Sequence, residues 1–495
     1  MKIEFTKIAN ADLDAALVFT NKDGELPESA SNWCGKHVPW LSRLASECSG
    51  KPGNACLLHG PEDAAIPRVV AAGLGKPEKF EMNNLRESTA AAVALCRERG
   101  LKRIGVAVES LAGLEKNHAL LIGEVAAAAR LGLYNFETYK SEKSEHAGLP
   151  ETFGFITGDE GGSAFEEALR VAEAGAAGTM LARDLVNTPA NIATPRRLAE
   201  SAREVGIRHG FKVDILDADR IRELGMGAIM SVAKGSAEPP RLAVLDTSPR
   251  SEENPMLLIG KGVTFDTGGI SLKPSSGMEA MKSDMAGAAA VIGAMEAIGR
   301  LELNRRIVAV IPLVENMPGR DATRPGDVIR TLSGKTVEIV NTDAEGRLIL
   351  CDALTYAKRF SPATVIDIAT LTGACVVALG KKVAAYFTEY EDLAAAIERS
   401  GPERGERFWR MPLWDSYFEA LKSEVADMKN VGDRMGGAIH AALFLKQFAP
   451  ESTPWVHLDI AGPGFMDSGS ALTPKGGSGF GVRTLLDMAR NTALE

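Results

Sequence analysis

The stretch Leu85–Arg130 decides the class of fold: LRESTAAAVALCR over 85–97, RIGVAV over 103–108 and HALLIGEVAAAAR over 118–130. The outer runs are rich in Ala and Leu, which lose little on entering a helix. The middle run is short, apolar and partly β-branched, the pattern of a buried strand. Helix, strand and helix in succession mark an α/β domain, and the strand-like Ala15–Phe19 upstream extends the alternation. Downstream come a charged, turn-rich stretch from Tyr139 to Pro150 and a glycine-rich turn at 158–162. One long helical pattern, Ser163–Val186, follows and is stopped by Asn187-Thr188-Pro189.

We place a domain boundary within that helix, near residue 170. This gives a smaller N-terminal α/β domain over 1–170 and a larger C-terminal α/β domain over 171–495, built on a mixed central sheet. Strands are expected in the second half at Met256–Ile259, Ile307–Ile311, Val337–Val340, Thr364–Ala369 and Val456–Ile460. A chain of 495 residues, 45% hydrophobic, has ample material for two buried cores. Its 65 acidic residues outnumber 56 Lys and Arg, a net charge of −9, which argues against nucleic acid or an anionic membrane as the main partner. Apolar runs are strand-sized, and the N-terminus lacks an apolar targeting segment, so a soluble cytoplasmic protein is expected. The six Cys form no C-x-x-C, and a core of this size needs no disulfide. The seven His are scattered singly, with no H-E-x-x-H, so any metal chemistry must use oxygen ligands.

Three places carry such oxygens. After the apolar run Met256–Ile259 comes GKGVTFDTGGISLKP, residues 260–274. Lys261 at the end of a buried strand is unusual because long cations prefer water; alone it reads as an ion-paired lysine, and Asp266 alone as a turn former. The second place is Met281-Lys-Ser-Asp284, which opens an Ala-rich helix reaching about Gly299, where Asp284 alone reads as an acid at a helix start. Small residues from Ala286 to Ala290 would let that helix lie close to its neighbour.

The third place is NTDAEGRL, residues 341–348. In extended backbone Asp343, Glu345 and Arg347 would project to one side. Two adjacent carboxylates are costly unless a cation sits between them. The alternative is a solvated acidic turn before a helix over Arg347–Phe360. Together Asp266, Asp284, Asp343 and Glu345 carry about four negative charges, which matches two divalent ions of the hard, oxygen-seeking kind. Lys261 could join them only as the neutral amine, while Lys273 and Arg347 would stay cationic beside a nearly neutral cluster, as a developing oxyanion requires.

Other motifs fail. Ser333-Gly-Lys-Thr336 ends like a phosphate loop, but the required earlier glycine is Ile329. His457 shares a strand face with Asp459 and reads as a core or interface histidine.

The segment Asn341–Leu348 resembles the signature of the leucyl aminopeptidases, cytosolic two-metal enzymes that include bacterial aminopeptidase A. Asn187-Thr-Pro-Ala-Asn191, Lys261–Pro274, Met281–Ala288, Asp427-Met-Lys-Asn430 and Trp455–Gly462 support the resemblance, which covers roughly 180–490. It implies that Asp266 and Glu345 bridge two metals, that Lys261 and Asp284 complete one ion, and that Asp343 completes the other. It further implies that a metal-held water attacks the scissile carbonyl, that Lys273 polarises that carbonyl, and that Arg347 holds a bicarbonate acting as general base. Asn341, Lys273, Thr370 and Leu371 would contact the substrate. Mn²⁺ is the expected ion, with Zn²⁺ or Mg²⁺ as alternatives. The implied activity is removal of leucine and other, mostly apolar, N-terminal residues from peptides by a homohexamer, with the N-terminal domain serving assembly or regulation. The competing expectation is a DNA-binding accessory role in transcription or recombination.

Overall fold

The computed structural model describes residues 1–6, 12–41, 48–114, 117–142, 148–157, 162–248 and 252–491. The chain divides into two units, Met1–Ala176 with Ser468–Pro474, and Ala177–Asp467 with Lys475–Glu495. The division falls inside the helix Ser163–Asn187. The turn expected at 158–162 and the middle of the 139–150 stretch lie outside the described residues, apart from Gly162.

The first unit is a six-stranded sheet in the order Lys2–Thr6, Thr152–Ile156, Arg103–Ala107, Ala15–Thr20, Arg68–Gly73 and Ala55–His59. Every pairing is parallel except the last, where Ala55–His59 runs against Arg68–Gly73. The central strand Ala15–Thr20 is buried along its whole length, as expected of a parallel strand covered on both faces. Helices Met82–Glu98 and His118–Leu131 turn Leu85, Val93, Ile122 and Val125 into one core with Phe153 and Phe155. Two features differ from the sequence reading. Lys2–Thr6 forms an edge strand, because its pairing partner lies about 150 residues away and leaves no local pattern. Cys48 and Cys56 are joined as a disulfide, their Cα atoms 5.9 Å apart and within bridging reach.

The second unit is built on a nine-stranded mixed sheet among the described residues. Its parallel centre consists of Trp455–Asp459, Thr364–Ala369, Met256–Gly260 and Ile307–Asn316 in that order. Antiparallel strands flank it, Val383–Phe387 on one side and Arg241–Asp246 on the other. The short strand Gly262–Asp266 leaves the end of Met256–Gly260 and pairs with the far end of Ile307–Asn316. Lys261 is the hinge between the two strands, so it stands at the carboxyl edge of the parallel centre, where open α/β sheets place their ligands.

Two helices cover this centre. Ala286–Leu301 runs so close that a Cβ at Gly287 would sit 2.2 Å from the carbonyl oxygen of Ile368. The run of small residues is therefore a packing requirement. Gly346–Ala357 lies over the other face and buries Leu350, Cys351 and Leu354 against Leu257, Val365 and Ala442. No described helix is long and apolar enough to cross a membrane.

Candidate metal-binding active site

Lys261 is buried, and its Nζ donates to both oxygens of Asp284 (2.6 Å each) and to the carbonyl of Thr370 (2.7 Å), with Glu345 Oε1 at 3.2 Å. It reaches them past Gly346, where a Cβ would lie 2.3 Å from Lys261 Cε. The glycine inside the signature is thus the space through which the lysine passes. Lys273 pairs with Asp266 Oδ2 at 2.8 Å and, more tightly still, with Asp343. Asp266, Asp343 and Glu345 each offer an oxygen within 4.8 Å of the others. The structure therefore brings Asp266, Asp343 and Glu345 into one cluster, with Asp284 attached through Lys261.

The path of the 341–347 segment differs from the extended one expected. The strand stops at Glu338, a turn is closed by the Ala344 amide donating to the Asn341 carbonyl (3.3 Å), and the helix begins at Gly346. Glu345 sits at the N-cap in helical conformation, where the free amides of the first turn favour a carboxylate. Asp343 and Glu345 meet through this turn, because the loop folds back on the loop 267–273: Thr342 Oγ1 donates to the Gly268 carbonyl (2.6 Å) and accepts from the Ser271 amide (2.8 Å). Arg347 is buried in the first helical turn, with Nη1 donating to the Asn430 carbonyl at 2.8 Å. Asp284 closes a 3₁₀ turn, Met278–Ser283, two residues before its helix starts. Asn341 orients Asp343 by accepting its amide at 2.9 Å. Thr370 is bound twice, its carbonyl to Lys261 and its hydroxyl to Asp284 Oδ1 (2.8 Å). The Leu371 amide turns the other way, toward Asp459 (3.2 Å).

Four carboxylates against two ammoniums leave the cluster two negative charges in excess. The titration behaviour follows. Burial, reinforced by Glu345, pushes Asp266 up to about 6. Burial also lifts Asp284 well above the carboxylate range, with Glu345 and Asp266 adding to it and Lys261 opposing. Asp343 is raised by burial against the pull of Lys273. Glu345 alone ends below its ordinary value: burial opposes this, but Lys261 and Lys273 prevail. Burial would discharge Lys261, yet Asp284, Glu345 and Asp266 hold it firmly cationic. Burial draws Arg347 down to about 10, and it remains a cation at neutral pH.

The donor set fits divalent cations on two observations. The four carboxylates carry the charge that two such ions would cancel, and Glu345 Oε2 is buried with no hydrogen-bond partner among the described residues. Arg347 Nε is likewise buried and unpartnered there, which fits a small anion.

Three supporting residues carry no role in the sequence reading. Asn316, in register with Asp266, donates to its Oδ1 (2.8 Å) and to the Thr342 carbonyl (3.0 Å). Asn430 is fully buried; its Oδ1 accepts from the amides of Val340 (2.9 Å) and Asn341 (3.3 Å), and its Nδ2 donates to the Asn341 carbonyl (2.6 Å). Asp459 is the third. His457, which shares its strand face, instead bonds Asp367 on the neighbouring strand at 2.5 Å and stacks on Phe387, a core histidine.

Comparison with known proteins places the chain in a family. Residues 180–486 match the catalytic domain of the cytosol aminopeptidase family, and residues 17–143 match that family's N-terminal domain. A probable cytosol aminopeptidase of Nitratidesulfovibrio vulgaris is 48% identical over 486 residues, covering 96% of this chain and 95% of its own. One from Oleidesulfovibrio alaskensis is 48% identical, covering 91% of each. Among solved structures, a mutant of tomato leucine aminopeptidase superposes with a TM-score of 0.87 at 35% identity, covering 99% of this chain and 96% of its own. The bottromycin maturation enzyme BotP in complex with Mn gives a TM-score of 0.84 at 36% identity, covering 97% and 99%. Matched along both its domains, the chain belongs to the cytosol aminopeptidase family and is a peptidase, a hydrolase.

Proposed function

We propose that the protein is a two-metal aminopeptidase that removes leucine and other, mostly apolar, residues from the N-termini of peptides. The observation that carries this reading is the largely buried cluster of Asp266, Asp284, Asp343 and Glu345, whose four carboxylates match two divalent cations in charge and which leaves a Glu345 oxygen unpartnered among the described residues. These carboxylates, with Lys261 as a neutral amine, would hold two divalent cations; the Mn in the BotP complex makes Mn²⁺ the first ion to test, ahead of Zn²⁺ and Mg²⁺. When bound, such ions supply an acidified water and a Lewis acid for the peptide carbonyl.

The chain's own residues supply the rest. Lys273, partly exposed and kept charged by Asp266, Glu345 and Asp343, is placed to meet the negative charge that develops on the carbonyl oxygen. Arg347 keeps one donor unpartnered for a bicarbonate-sized anion, which would receive the proton of the attacking water, a role no neighbouring His or free Glu fills. Thr370, Leu371 and Asn341 border the cluster on the loops that would receive the substrate backbone. A free α-amine would add a donor to a bound cation, which a blocked one would not, and this would restrict attack to the first residue. We place the enzyme in the cytoplasm as a homohexamer assembled with the N-terminal unit's help.

The test measures leucine release from an aminoacyl amide after exhaustive chelation and after Mn²⁺ is restored. Activity should vanish and return; full activity in verified metal-free protein would overturn the reading.

A further inference from the structure

Asp459 ends the central strand Trp455–Asp459 and is wholly inaccessible to solvent. Its Oδ1 accepts from the amides of Leu371 (3.2 Å), Thr372 (3.4 Å) and Ala461 (3.1 Å), and its Oδ2 accepts from the Thr372 hydroxyl at 2.7 Å. Thr372 Oγ1 in turn accepts from the Cys375 amide (3.0 Å) and so caps the helix Gly373–Leu379. A buried carboxylate is a costly way to cap a loop unless its donors are fixed. Here three main-chain amides and a hydroxyl converge on it, and the field of Arg347 reaches it as well.

The direction of these bonds gives them a consequence. With the amides of residues 371 and 372 drawn inward to Asp459, the preceding residue, Thr370, is left with its carbonyl on Lys261 Nζ and its hydroxyl on Asp284 Oδ1. Thr370 thus bonds both members of that pair from outside the cluster. Without Asp459 the loop has two amides to satisfy, those of Leu371 and Thr372, and no reason to keep this orientation.

We infer that Asp459 is a positioning residue: by folding the loop 370–372 inward it fixes, through Thr370, the geometry of Lys261 and Asp284, and so governs one of the two cation positions selectively. The inference rests on the two-cation reading above. Outer partners of metal ligands commonly set affinity by about 10-fold or more. The Asp343 side of the cluster is tied instead to Asn341, Thr342 and Asn316, none of which bonds Asp459.

The experiment titrates Mn²⁺ into the full-length, metal-free protein, following free Mn²⁺ by electron paramagnetic resonance and heat by calorimetry. Wild type, Asp459→Asn and Thr372→Val are compared, with chemical unfolding of each metal-free protein alongside. Wild type should take up two ions. In Asp459→Asn one step should weaken about 10-fold while the other stays within about twofold. Thr372→Val, which keeps the three amide bonds, should weaken the same step by a smaller factor and carries the test if Asp459→Asn does not fold. Equal weakening of both steps in step with lost stability would overturn the inference by making Asp459 merely structural, and unchanged steps in both variants would overturn it outright. A wild type that takes up fewer than two Mn²⁺ would overturn the two-cation reading and the inference together, an outcome visible before any variant is measured.

Discussion

The metal-free protein should lose stability as pH rises from about 4 to about 7, and Asp266 is one identifiable reason within the cluster. Its carboxyl stands at 3.8 in the unfolded chain and at about 6 in the fold, raised by burial and by the neighbouring Glu345. A folded value above the unfolded one means that the fold holds the proton more tightly. The contribution is therefore fully present below about pH 4 and gone once pH passes about 6.5. The difference between 3.8 and about 6 corresponds to about 3 kcal/mol, a large part of a typical domain's stability. Asp284 and Asp343 are displaced in the same direction, and Glu345 in the opposite one. The assay is urea unfolding of chelated protein at intervals from pH 4 to 8, with Asp266→Asn measured in parallel. The wild-type curve minus the Asp266→Asn curve should fall by about 3 kcal/mol across that interval. With saturating Mn²⁺ the sign should reverse, since a bound cation favours the ionised carboxylates and adds stability by mass action. Parallel curves for wild type and Asp266→Asn in metal-free protein would refute the electrostatic account of the cluster.

Three further outcomes are expected. Lys273→Ala should keep its metal content and lose about 10²–10³ in kcat, as when an oxyanion donor is removed; elemental analysis with steady-state kinetics checks both halves, and unchanged turnover rejects the role. Glu345→Gln should lose metal and turnover together, and retention of both ions by that variant would count against its place in the cluster. Asn430→Ala strips partners from the amides of Val340 and Asn341 and from the Asn341 carbonyl, at about 0.5–1.5 kcal/mol for each hydrogen bond lost; a drop below about 1 kcal/mol in urea unfolding would show that the loop at Asn341 does not depend on it.

The parts of this molecule that could be read in advance are those whose signal is local. Apolar runs such as Met256–Ile259 and Thr364–Ala369 became strands close to their expected bounds, since a central parallel strand is apolar on both faces. The acids of the site stood out because carboxylates beside glycines and buried strands need an explanation. The route by which Asp343 and Glu345 meet did not stand out: an alternation argument presumes extended backbone, and the chain makes a turn there. Asn316, Asn430 and Asp459 were harder still. Asn430 and Asp459 fall within segments that carry the family resemblance, but the partners that give these three residues their roles lie 50, about 90 and about 88 residues away in sequence, so nothing local shows what each one holds.

Lys261 gives the site a way to exist before it is loaded. Its ammonium lies between Asp284 and Glu345, a resident cation that lets the surrounding loops fold around a near-complete set of contacts. On the two-cation reading the same lysine would make loading an exchange: it would have to surrender a proton to become a ligand, so each molecule charged with metal at that position would release acid. Metal supply and local pH would then act on the population of competent enzyme as one variable, with Lys261 as the point where they meet.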